Sequence, residues 1–452
     1  MGNLNEIRRV LAHRDFRMLW LAQSASVVGD NIVLVALALF VVQLTGSATD
    51  LGIVLAAYAL ALVVFLLPGG AWADRLPRHR VMIVTDLARF ALHALLAALI
   101  FTGAVRVWEI VVIEMLFGAA EAFFRPAANG LLPQTVPESD IQQATAITTM
   151  SANVSEFAGP ALATLLVLGA GAGWAFAFDA ATFLVSVAFL LRVHPRARSR
   201  PADPAPAFAP APAFAPALAL APAPVGGADS GRGVWEDIRA GAREVRARVW
   251  VWATLASFCA ALFCALAPWF VLGPIVAREQ YGHVSVYGVI EASLGFGTII
   301  GSLIGVAWRP RFPLRLAMLA IIVWPLAAIL FATGLTLVLV IPATAVAGAG
   351  IALFDVWWLT ALAERIPPGA LSRVSSFDWM LSCALLPLGY VLAGPLAGRL
   401  GAVDVMIGGS TLACLAFALG LLPRQTRMLE RLPVVPSGVR PDEPLRGLAH
   451  RP

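Results

Sequence analysis

The chain has 452 residues, of which 60% are hydrophobic and only 13% charged. A soluble fold of this length cannot hide so much apolar surface. The net charge of +5 would point a soluble protein toward nucleic acid, but here every basic residue is Arg and the Arg sit between long apolar runs. A soluble nucleic-acid binder is therefore excluded, and lipid is the expected partner of the apolar surface.

Crossing a hydrocarbon layer of about 30 Å takes roughly 20 apolar residues as a helix. The runs 51–67 and 338–353 do not alternate as barrel strands would. Helical spans are predicted near 17–44, 50–72, 81–103, 107–127, 141–168 and 172–193. A second set is predicted near 249–276, 285–307, 314–334, 337–362, 373–398 and 402–422. The first sixteen residues are polar and basic and the run after them is too long for a signal-peptide core, so it is expected to stay as the first span. Cys259, Cys264, Cys383 and Cys414 lie inside apolar runs without CxxC spacing or neighbouring His, which gives no metal or disulfide expectation.

Between the two sets the composition changes. Pro201–Pro224 is a Pro/Ala spacer, and Arg232–Arg248 reads as an amphipathic basic helix suited to a membrane surface. The expected organisation is a six-helix bundle over 1–193, a linker over 194–248, a second bundle over 249–423 and a tail over 424–452. Arg clusters at 8–17, 75–80, 192–200, 239–248, 309–315, 365–373 and 424–431 alternate with Arg-poor loops. The positive-inside rule then puts both termini and the linker in the cytoplasm of a bacterial inner membrane, which requires an even number of spans.

The halves resemble each other. Gly118-Ala-Ala-Glu-Ala-Phe-Phe124 through Val136-Pro137 lines up without a gap on Gly348-Ala-Gly-Ile-Ala-Leu-Phe354 through Ile366-Pro367. Ala158-Gly159-Pro160 has a counterpart in Ala393-Gly394-Pro395. The fold class expected is all-α, with twelve transmembrane helices as two bundles related by a pseudo-two-fold axis, an architecture many secondary transporters share.

The loop after the second span reads Gly70-Ala-Trp-Ala-Asp74-Arg75-Leu-Pro-Arg78-His-Arg80. It resembles the signature loop of the major facilitator superfamily, Gly-x3-Asp-Arg-x-Gly-Arg-Arg-x, with Pro77 and His79 as departures. Gly70 would let helices approach closely, and Asp74 at a helix end needs a cation or a helix N-terminus. The resemblance implies that this loop latches the two halves in one conformation. Arg125 is a candidate partner for Asp74, and Asp355 stands at the homologous place in the second half. Gly159 and Pro160 resemble the Gly-Pro kink motif of antiporter members. Gly29-Asp30-Asn31, Phe124-Arg125-Pro126-Ala127, Leu131-Leu132-Pro133 and Val136-Pro137 together resemble the branch of multidrug, macrolide and enterobactin exporters.

Ionisable residues at mid-depth are functional candidates. Asp30 lies in a polar patch with Ser24, Ser26 and Asn31, where a carboxyl can carry a proton or meet a cationic substrate. Glu114 and Glu121 share a helix face, and Glu121 is four residues before Arg125, a structural ion pair. Glu156 sits beside the Gly-Pro motif, and Asp86 and Arg89 are spaced to pair. Trp269, Phe270, Phe296, Trp357, Trp358, Trp379 and Tyr390 are candidates either for lining a cavity or for packing. The function expected is proton-coupled efflux of a small hydrophobic or amphipathic molecule, of the drug, macrolide or siderophore class, by a monomer that needs no cofactor beyond a proton gradient. The alternatives are an importer or symporter of a metabolite or lipid, or a receptor of the same fold. Dispersed His and the absence of a P-loop speak against an enzyme or an ATP-driven pump.

Overall fold

The computed structural model describes residues 8–195, 243, 245–308, 310–366, 374 and 385–430, with side chains at all of these except 67, 70–75, 142, 153, 157, 306 and 363. The helices of the first half are α1 (Arg14–Thr45), α2 (Ala48–Arg75), α3 (Arg78–Phe101), α4 (Val107–Leu131), α5 (Ile141–Gly169) and α6 (Ala172–Leu190). Those of the second are α7 (Val249–Tyr281), α8 (Ser285–Ala307), α9 (Pro313–Ala332), α10 (Leu337–Arg365), α11 (Leu386–Leu400) and α12 (Ala402–Gly420). α7 carries a π turn at Leu262–Leu266.

Ten of these helices are long and apolar enough to cross a membrane. α4 stands outside that group because Glu109, Glu114, Glu121 and Arg125 crowd one helix, and α11 because only 15 of its residues are described. At 1.5 Å per residue α1 is about 48 Å long, so it tilts in the bilayer or projects from it.

A glycine pattern marks one end of the molecule. Gly46, Gly103, Gly171, Gly282, Gly334 and Gly401 have positive φ, and each lies in a short turn after an odd-numbered helix. A side chain is disfavoured in that conformation, so glycine permits each chain reversal. Alternation brings all these turns to one end, the distal end; the Arg-rich connections lie at the other, the linker end.

Packing repeats between the halves. α2 crosses α4 as α8 crosses α10, and α1 and α3 pack on α6 as α7 and α9 pack on α12. A Cβ on Gly118 would strike the Tyr58 carbonyl of α2, and one on Gly348 would strike the Leu294 carbonyl of α8. The residues matched by the internal repeat are thus the crossing points of matching helix pairs. Small residues bring backbones close where lipid gives no hydrophobic drive to association. The corresponding approach between α2 and α4 falls on Gly69, against the Ala122 carbonyl; the surroundings of Gly70 lie outside the described side chains.

The halves meet through α2 with α11 and α5 with α8. Gly52 packs on the Tyr390 carbonyl, Gly394 on the Thr49 backbone and Gly288 on the Thr164 side chain, all toward the distal end. Arg278 reaches across to the Gly46 carbonyl at 3.4 Å. At the linker end Met150, Val154, Ile300, Leu303 and Ile304 of α5 and α8 are exposed. Among the described residues, the close glycine contacts between the halves fall toward the distal end.

Candidate functional site

A cavity of about 110 Å³ opens among α1, α3, α4 and α5 in the first half. Asp30 and Ser26 of α1, Arg89 of α3, Glu121 and Arg125 of α4 and Ser151 of α5 face it. Drug-sized pockets run to roughly 300–1,000 Å³, so in this conformation the cavity is too small for a macrolide.

Arg89 organises the cavity. Its guanidinium bonds Asp86 one turn earlier on α3 and lies 3.7 Å from Asp30 Oδ2. Phe124 and Phe183 cover it at 4.1 and 4.4 Å from their ring centres, a geometry that attracts a desolvated cation. Ser186 of α6 donates to the other Asp86 oxygen at 2.6 Å. Asp86 and Arg89 therefore pair as their spacing predicts, and Asp30 is the member exposed to the cavity, at 22%. Its Oδ1 is buried without a hydrogen-bond partner.

The second cation, Arg125, donates to Glu121 Oε1 at 3.0 and 2.5 Å, while Tyr58 of α2 donates to Glu121 Oε2 at 2.6 Å. The Glu121–Arg125 pair expected from sequence is present. Arg125 as a partner for Asp74 has no geometry to report, since the side chains of Asp74 and Arg75 lie outside the described ones. Arg78 donates to the Gly130 carbonyl at the end of α4, tying the signature loop to its own half, and Arg80 is exposed.

The other candidates separate. Asn31 turns away from the cavity: it donates to Val27 of its own helix at 2.9 Å and packs against Gly159. Asn31 and Gly159 are thus two sides of one α1–α5 contact, and Pro160 sits inside α5 without breaking it. Glu114 is buried beside His93 of α3, to which the sequence assigned no role. Glu156 stands apart on α5, close enough to Asp355 and Glu291 of the second half to feel their charge. Glu291 accepts from Trp269 Nε1 at 2.5 Å. Trp357 packs on Trp308 and Phe296 is exposed, so both are packing or lipid-facing residues; Trp379 lies outside the described residues.

Asp179 of α6 was missed altogether, although it is fully buried and bonded to His93 Nδ1. The signal was there to find, since a carboxylate seven residues into an apolar span obeys the same rule that selected Asp30.

Residues 19–387 match the sequence model of the Major Facilitator Superfamily. The chain belongs to the Major Facilitator Superfamily. It is a multi-pass membrane transporter acting on small molecules, and not an enzyme. It is 21% identical over 408 residues to macrolide efflux protein A of Streptococcus pyogenes, an alignment covering 89% of this chain and 94% of that protein. A similarity of 29% to the MFS-type transporter YfiS of Bacillus subtilis spans 37% of this chain and only 40% of that protein. The enterobactin exporter EntS of Salmonella choleraesuis is 27% identical over 42% of this chain and 47% of its own length. Among solved structures, a bacterial homologue of the lysosomal transporter Spinster, in an inward-facing and unoccupied conformation, superposes with TM-score 0.67 at 16% identity, covering 94% of this chain and 99% of that one. The nucleoside transporter NupG gives TM-score 0.64 at 14% identity over 90% and 99%. At these identities the two structures speak for the fold alone.

Proposed function

We propose that this transporter exports a small hydrophobic or amphipathic molecule in exchange for protons, with Asp30 as the group that exchanges between proton and Arg89. The observation that carries the reading is Asp30 itself: a carboxyl at mid-helix, facing a cavity, 3.7 Å from a buried guanidinium and with one oxygen unpartnered. Protonated, it releases Arg89; ionised, it holds it. A ligand or proton biases alternating access only through different affinities for the two states, and this pair supplies such a difference.

Efflux is supported by the full-length similarity to a macrolide efflux protein and by a partial one to the tetracenomycin C resistance and export protein of Streptomyces glaucescens, 33% identical over 34% of this chain and 28% of that protein. The Arg distribution favours cytoplasmic termini in a bacterial inner membrane, so the cavity opens inward and the distal end faces outside. In this reading the bundles 1–193 and 249–423 rock about α2–α11 and α5–α8 as a monomer, with 194–248 as a cytoplasmic linker and 424–452 as a tail. Gly70, Asp74, Arg75, Arg78, Arg80 and Arg125 serve as a latch, and Gly159-Pro160 as a packing hinge.

The test is flux of labelled erythromycin, ethidium and enterobactin in proteoliposomes under an imposed pH gradient. Wild-type protein moves at least one of them against its gradient, and Asp30→Asn at equal protein loses at least tenfold of that flux. Flux indifferent to the gradient sinks proton coupling, and movement of the probe with the proton makes the protein a symporter.

A further inference from the structure

The buried network does not end at Asp30. His93 of α3 lies between Asp179 of α6, bonded to its Nδ1, and Glu114 of α4, whose Oε1 is 3.6 Å from its Nε2. The imidazole stacks on Phe117 at 4.0 Å and 4° and meets Phe176 edge-on at 5.6 Å. All three polar groups are sealed from solvent. At 1.5 Å per residue, His93 is about 12 Å from the distal end of α3, and Glu114 and Asp179 are each about 10 Å from those of α4 and α6. The three form a layer on the distal side of Arg89: His93 is one turn, about 6 Å, beyond it on α3, while Asp179 lies level with Gly29 of α1.

Several features set this layer apart from a structural ion pair. His93 Nε2, Glu114 Oε1 and Asp179 Oδ1 are all buried without hydrogen-bond partners. Nε2 and Oε1 face each other just beyond hydrogen-bond distance, and a buried polar atom without a hydrogen bond is destabilising. Gly29, immediately before Asp30, lacks a side chain where a Cβ would strike Asp179 Oδ1 and Thr182 Oγ1. The glycine lets the Asp179 carboxyl lie against α1 beside Asp30. The charged groups nearest this layer are Asp30 of α1, beside Gly29, and Asp86 and Arg89 of α3, with Glu121 two turns along α4 from Glu114. Five carboxyls (Asp30, Asp86, Glu114, Glu121 and Asp179) surround two guanidiniums and one imidazole. A buried excess of one charge is costly.

We propose that His93, with Glu114 and Asp179, is a proton-relay station joining Asp30 to the distal face. This rests on the proton-coupled reading above. A proton on Glu114 Oε1 passes to His93 Nε2, and the Nδ1 proton leaves to Asp179 Oδ2. The protonated Asp179 carboxyl then delivers its proton to Asp30. Each step breaks one O–H or N–H bond and forms another, with no change of oxidation state. The neutral ring then carries its one proton on Nε2, and a half-turn of the imidazole brings that N–H to face Asp179 for the next cycle.

The test compares two modes in proteoliposomes, using whichever of the three probes the wild-type protein carries. One is flux driven by a pH gradient, profiled from about pH 5.5 to 8.5, a window spanning the ordinary imidazole range; the other is probe exchange without a gradient, which requires no proton to reach the distal face. His93→Gln and Asp179→Asn are expected to lower driven flux tenfold or more and to flatten its pH profile, while exchange falls far less. Glu114→Gln, which keeps size and shape, is expected to show the same split and decides the matter where the His93 variant does not fold. Wild-type driven flux and pH profile in Glu114→Gln or His93→Gln overturn the relay. So does an equal loss in both modes at an unchanged melting temperature, which marks a positioning role. Wild-type flux that ignores the gradient removes the proton-coupled reading and the relay with it, whereas a wild type that responds to the gradient beside variants that behave like it removes the relay alone.

Discussion

The two halves of this transporter share one architecture and almost nothing of its interior. α4 and α10 cross α2 and α8 at matched glycines, yet in the gapless register that pairs Gly118 with Gly348, Glu114 falls on Thr344, Glu121 on Ile351 and Arg125 on Asp355. Thr344 spends its hydroxyl on its own helix, bonding the Ile341 carbonyl at 2.9 Å. Where the first half buries Asp86, Arg89, His93 and Asp179, α9 and α12 bury Met318, Trp324, Phe331 and Phe417. The fold is therefore satisfied by an apolar filling. Charges retained in only one copy of a repeated structure are not required by the structure, and that separates function from packing more sharply than burial does.

The strongest way to break this comparison is to unbalance the charged half. Arg89→Met strands Asp86 and Asp30 around a buried methionine, and removing one partner of a buried ion pair costs about 3–5 kcal/mol. Thermal unfolding in detergent should show a larger loss than any glycine or Glu121 substitution produces, partly recovered when Asp86→Leu is added. Met318→Leu in the apolar half conserves volume and should cost under about 1.5 kcal/mol. An Arg89→Met protein as stable as wild type would show that the guanidinium does not hold the network together.

Glycine crossings sharpen the other side of the comparison. Gly118→Val and Gly348→Val both push a side chain into a facing backbone carbonyl, at matched places in matched helix pairs. Overpacking of this kind costs about 1–3 kcal/mol, and the two variants should lose similar amounts of melting temperature. A large difference would mean that the halves are less alike in packing than their register implies. Glu121→Gln comes next. It weakens the hold on Arg125 and Tyr58, whereas Ile351→Val at the matched position trims one methyl for about 0.5–1.5 kcal/mol. The Glu121 variant should also lose driven transport, and the Ile351 variant should keep it.

How much of this was legible in the sequence follows the same division. The spans were readable because lipid demands long apolar runs, and the internal repeat because close crossings demand small residues at fixed places. The six positive-φ glycines closing the distal turns were equally visible and went unread, because a glycine among apolar residues signals packing as often as a turn. Pairs within one helix, Asp86–Arg89 and Glu121–Arg125, follow from spacing alone. The contacts of His93 with Asp179 and Glu114 join three helices, with Asp179 lying 86 residues along the chain from His93, and no local pattern encodes which helix faces which. Asn31 shows the reverse error: adjacency to Asp30 suggested a shared role, but neighbours on a helix point about 100° apart, and Asn31 belongs to the α5 contact.

The smallest effect concerns the linker end of the charged half, where Asp140, in the connection between α4 and α5, ties down the residues before α1. His13 hydrogen-bonds its Oδ2 at 3.0 Å, and Arg9 donates to its Oδ1 at 2.7 Å. The bond from His13, followed by the charge of Arg9, holds the Asp140 carboxyl below its ordinary value. A carboxyl shifted downward favours the folded arrangement at any pH above the ordinary carboxylate range, and that contribution disappears as the pH falls through the lowered value. Hydrogen exchange of residues 8–13 should therefore be slow at neutral pH and quicken relative to the rest of α1 only in strong acid. Asp140→Asn should exchange quickly at neutral pH already and lose the acid dependence. The second half has a linker-end tie of another kind, between Arg311 ahead of α9 and Glu430 after α12, at 2.8 Å but largely exposed, and solvent screening leaves such a pair little to contribute. Glu430→Gln should therefore change exchange less than Asp140→Asn does. If the two variants behave alike, the asymmetry between the halves is confined to the membrane interior and does not reach their linker-side ends.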